Sequence, residues 1–131
     1  MEYVNVLAAA FAAYVFGALW YMTLAKPWMA AAGVEADENG RPSNGAGAMT
    51  YVIAFVCAVI VAGMMRHVLN LAGIVDPGKG LIAGLGIGLF MATSWIATNY
   101  SFAGRPKTLI LIDGGYTTIG CAIIGLVLTA F

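Results

Sequence analysis

Apolar side chains run almost unbroken over residues 3–25, 47–70, 77–102 and 106–131, and the polar positions collect between those ranges. Each run is long enough for a helix to cross the hydrocarbon of a bilayer, which takes roughly 20 residues at about 1.5 Å apiece. The pattern predicts an all-α integral membrane bundle of four transmembrane helices over these ranges, with residues 1–131 forming a single transmembrane domain. A soluble domain of this size has no interior that could hide four such runs.

The residues at the boundaries fit that division. The first run follows Met1-Glu2 with no basic leader, so it reads as a spanning helix and not as a cleaved signal. Trp20 and Tyr21 sit near its far interface, and Lys26-Pro27-Trp28 ends it. Glu35, Asp37, Glu38, Asn39, Gly40, Arg41 and Pro42 then make the longest loop, which Trp28-Met29 pins to the surface as a short interfacial turn. Arg66-His67 marks the exit of the second helix. Asp76-Pro77 starts the third, with the aspartate capping free amides and the proline at the first helical position. Gly104 closes it, and Arg105-Pro106 turns the chain into the fourth.

Composition narrows the chemistry. The chain is 62% hydrophobic and 9% charged, against about 25% charged residues in soluble domains. Six basic and six acidic side chains cancel, so no field draws in nucleic acid. Cys57 and Cys121 lie inside apolar runs and read as small buried hydrophobes. His67 stands beside an arginine at a helix end with no second ligand at suitable spacing, so no metal and no cofactor is expected.

Two features remain. Gly80, Gly84, Gly88 and Ala92 recur every fourth residue on the third helix. In lipid such a bare face lets two backbones approach closely, and it predicts packing against another helix of the chain or against a second copy. The other feature is Asp113, about 10 Å inside the fourth helix by the standard rise. An acid there must face protein or water and find partners. Arg105, Asn99, Tyr100, Tyr116, Tyr21 and Lys26 can reach it if the first, third and fourth helices adjoin, giving a polar site that binds a solute, a headgroup or a proton, or a staple that fixes helix register.

A shared arrangement links the halves. Trp20-Tyr21, four residues, Lys26-Pro27 parallels Asn99-Tyr100, four residues, Arg105-Pro106, and Tyr51 and Cys57 parallel Tyr116 and Cys121. It suggests two repeated hairpins related by an axis along the membrane normal. The same segments, with Phe16-Gly17-Ala18-Leu19 and Asp113-Gly114-Gly115-Tyr116, resemble the uncharacterised bacterial membrane family known as domain of unknown function 1761, across essentially the whole chain. The resemblance implies a small four-helix protein of the bacterial inner membrane and brings no established activity. It also implies an asparagine where this chain has Asp113, and a histidine where it has Thr117.

Charge places the loops. Lys26, Arg41, Arg105 and Lys107 lie on one side and Arg66 and Lys79 on the other, which puts the first set in the cytoplasm and both termini in the periplasm. The leading functional expectation is a structural or interaction subunit that self-associates, or joins a larger membrane complex, through the glycine face. The alternative is a small dimeric transporter or channel using the polar site around Asp113 and Arg105. An enzyme is disfavoured because no acid, base and nucleophile converge.

Overall fold

The structure, a computed structural model, describes residues 2–40 and 47–131; Met1, Arg41 and Pro42 lie outside the described residues. Four helices are long and apolar enough to cross a membrane: α1 (Glu2–Thr23), α3 (Ala48–Leu71), α4 (Pro77–Phe102) and α5 (Lys107–Ala130). A short α2 (Ala25–Ala32) follows α1. The boundaries agree with the apolar runs to within two residues, except at the end of the first. There α1 stops at Thr23, and Lys26-Pro27 opens a separate helix in place of the expected turn. Proline costs little at that point, because the first amides of a helix have no partner to lose.

Helix ends follow local chemistry. The Asp76 side chain accepts from the Lys79 amide at 3.0 Å, with Pro77 at the first position of α4. Gly104 takes φ 66° at the other end, so that its N–H reaches Ser101 O and that of Arg105 reaches Tyr100 O. That is a complete Schellman close, and only glycine enters this backbone region freely.

α5 is the central post of the bundle and packs against every other helix, whereas α3 and α4 hardly meet. The two hairpins α1/α3 and α4/α5 both form, but their exchange is unequal, because α1 packs along α5 and α3 has no such seam with α4. Small residues set the close approaches. Ala9, Ala10 and Ala13 of α1 and Ala58 and Ala62 of α3 are buried beside Cys121, Ile124 and Leu128 of α5. With hydrocarbon outside as well as inside, this contact and the few polar links hold the helices together.

Candidate functional site

At one end of the bundle the last turns of α1 and α4 meet the first turns of α5. Asp113 lies there, half-buried, six residues after the start of α5 at Lys107. Tyr21 from α1 donates its hydroxyl to one carboxylate oxygen at 2.5 Å, and Tyr100 from α4 donates to the other at 2.5 Å. Among the described residues these are the carboxylate's only partners, and no cation pairs with it. The three helices are thus tied at a single residue.

Aromatic rings wall the same region. Tyr116, one turn further along α5, lies 5.3 Å from Tyr21 between ring centres and stacks on Phe16 at 6.4 Å. Trp28 of α2 meets Tyr21 edge-on at 6.2 Å. Trp20 donates its indole N–H to the Ile112 carbonyl at 2.9 Å. Both glycines of Asp113-Gly114-Gly115-Tyr116 are explained by what faces them. A Cβ at Gly115 would lie 2.6 Å from the Trp20 ring, and one at Gly114 would lie 2.7 Å from the Thr93 methyl.

The other expected members of the cluster lie elsewhere. Arg105 donates to the Ala32 carbonyl at the end of α2 and not to Asp113. A cation is well placed there, since the last carbonyls of a helix lack partners and carry the negative end of its dipole. Asn99, Lys26 and Lys107 are exposed at this end of the bundle.

The glycine row has a different destination from the one its spacing left open. A Cβ at Gly80 would collide with Thr129 and the Gly125 carbonyl, at Gly84 with the Cys121 carbonyl, and at Gly88 with the backbone of Thr117 and Thr118. The face is filled by α5 of the same chain. It offers no surface for self-association or for a larger complex, and that expectation is corrected. Cys57 is also exposed, contrary to its expected burial, while Cys121 is buried; both are free thiols.

Two polar features escaped the sequence reading. Within α4, residues Ile87–Ala92 wind as a π-helix. Just beyond them the Thr93 hydroxyl donates to Gly88 O at 2.7 Å and meets the hydroxyls of Thr117 and Thr118 at 3.1 and 3.2 Å. A single hydroxyl has one proton to give, so with Gly88 O taking it the two α5 threonines supply theirs. At the opposite end of the bundle, Asn5, Arg66, Asn70 and Thr129 border a cleft of about 310 Å³. Neither feature carries a signal in the sequence beyond isolated hydroxyl and amide side chains in apolar runs.

The family model described as "Protein of unknown function (DUF1761)" matches residues 4–129. The chain belongs to that family. No curated protein and no solved structure matches it. In this DUF1761 chain, the segments Phe16–Trp28 and Asn99–Tyr116 that carried the resemblance are those that build the Asp113 site.

Proposed function

We propose that this chain is a multi-pass protein of the bacterial inner membrane that works through reversible protonation of Asp113, as the proton site of a small carrier. One observation carries the reading: a carboxylate inside an apolar bundle is served by two neutral phenols and by no cation. A staple needs only acceptor and donor atoms, which a neutral amide supplies. An ionised acid in the membrane costs up to about 3 kcal/mol at its centre and less near the edge. What the acid adds in return is the capacity to take up and release a proton.

The loops bearing Lys26, Arg41, Arg105 and Lys107 are proposed to face the cytoplasm, so Asp113 exchanges protons with that side. Four helices enclose little space, and the carrier is proposed to act as a pair of copies joined through a face other than the glycine row.

The test is proton uptake into liposomes holding a pH-sensitive dye, driven by an imposed membrane potential. Wild-type protein acidifies the interior, and Asp113→Asn loses about tenfold or more of the rate while keeping its helical circular dichroism. Equal rates for the two proteins, or no uptake by wild type, would sink the proposal.

A further inference from the structure

α4 joins two stretches of different character. In its first part, Pro77–Gly86, Gly80 and Gly84 are buried so tightly on α5 that neither has room for a methyl group. In its last part, Thr93–Phe102, no residue is buried. Between them lies the π-helical Ile87–Ala92, whose wider turn interrupts the regular ladder. The Thr93 N–H and hydroxyl both close onto Gly88 O, so the interruption is bounded by a defined hub.

Beyond Thr93, one side-chain hydrogen bond ties this part of α4 to another helix among the described residues. It runs from Tyr100 to Asp113. Arg105, past the end of α4, adds an exposed bond to Ala32.

We propose that Thr93–Phe102 is a hinged arm pivoting on Ile87–Ala92, that the Tyr100–Asp113 bond is its latch, and that protonation of Asp113 opens it. The trigger rests on the proton-site reading above; the hinge and latch do not. The neutral acid keeps one bare oxygen and turns the other into a donor, so it cannot accept from both phenols as the carboxylate does. The bond that survives also loses its charge assistance, which roughly halves its strength. The ionisable groups around the latch are Tyr21 from α1, Lys26 from α2, Tyr51 from α3, Tyr116 and Lys107 from α5, and Arg105 from the loop.

Spin labels test this in lipid nanodiscs, with Cys57 and Cys121 replaced by alanine. One pair, Ser101→Cys with Val52→Cys, spans the arm and α3; a control pair, Ile82→Cys with Val61→Cys, spans the anchored part. The expected result is a displaced Ser101 population that rises about tenfold or more on acidification, and that Tyr100→Phe or Asp113→Asn produces at neutral pH. The control distances stay fixed. Deleting Phe90, which removes the extra residue of the π-helical turn, keeps the arm in place in the Tyr100→Phe background.

Unchanged Ser101 distances in both Tyr100→Phe and Asp113→Asn overturn the hinge and latch, as does equal movement of the control pair. If Tyr100→Phe frees the arm but acid leaves wild type unmoved, the hinge and latch stand and protonation as the trigger fails.

Discussion

The carboxylate of Asp113 decides how this end of the bundle is built, because each neighbour is shaped to let a phenol or an indole reach α5. Gly115 leaves room for Trp20, and Gly17 leaves room for Tyr116, whose ring would lie 2.6 Å from an added Cβ. Gly115→Ala is therefore expected to displace Trp20 from the Ile112 carbonyl and to cost about 1–3 kcal/mol as an overpacked site. It should appear as a lowered thermal midpoint and a shifted tryptophan emission. Gly120→Ala is the matched control, since nothing lies within 4 Å of its added Cβ, and it should be neutral or stabilising by up to about 1 kcal/mol. At this scale the sequence showed the acid, and it showed Tyr21 and Tyr100 among six candidate neighbours. It misplaced Arg105 because opposite charges attract on paper, whereas the carbonyl that receives this side chain ends a helix, α2, that the sequence reading took for a turn.

Along whole elements, hydrophobic periodicity located the four spans because a run of apolar side chains has one stable answer in lipid. It could not tell who would cover the glycine row, since a bare helix face fits a helix of the same chain or of another equally well. Nor could it show the π-helical turn, where one more apolar residue in an apolar run changes no pattern. Because α5 fills the row, Gly84→Leu should break the α4/α5 hairpin itself. Its side chain would enter the Cys121 carbonyl and the Ala122 backbone, neither of which can yield without moving a helix. The expected readout is rapid proteolysis and loss of a cooperative melt, in contrast to Leu85→Ala, where an exposed side chain is trimmed at little cost. A Gly84→Leu protein that melts as wild type but changes its oligomeric state would return the row to an intermolecular role.

For the whole molecule, the chain threads four long helices so that the loop after α3 and both described ends of the chain lie together, opposite the loop after α2 and the α4–α5 turn. The Asp113 site is at the second of these ends, and the cleft bordered by Asn5 and Arg66 is at the first. Lys26, Arg105 and Lys107 all gather at the Asp113 end, and retention of positive loops in the cytoplasm acts on the nascent chain before any site can form. Orientation therefore fixes which compartment the carboxylate can exchange protons with. Single cysteines in a background free of Cys57 and Cys121 test it in intact cells with a membrane-impermeant maleimide. Val75→Cys, 79% exposed in the loop after α3, should label from the periplasm, whereas Glu35→Cys, in the loop after α2, should label only once the membrane is opened. The reverse pattern would place Asp113 at the periplasmic face and require any proton it takes up to come from outside the cell.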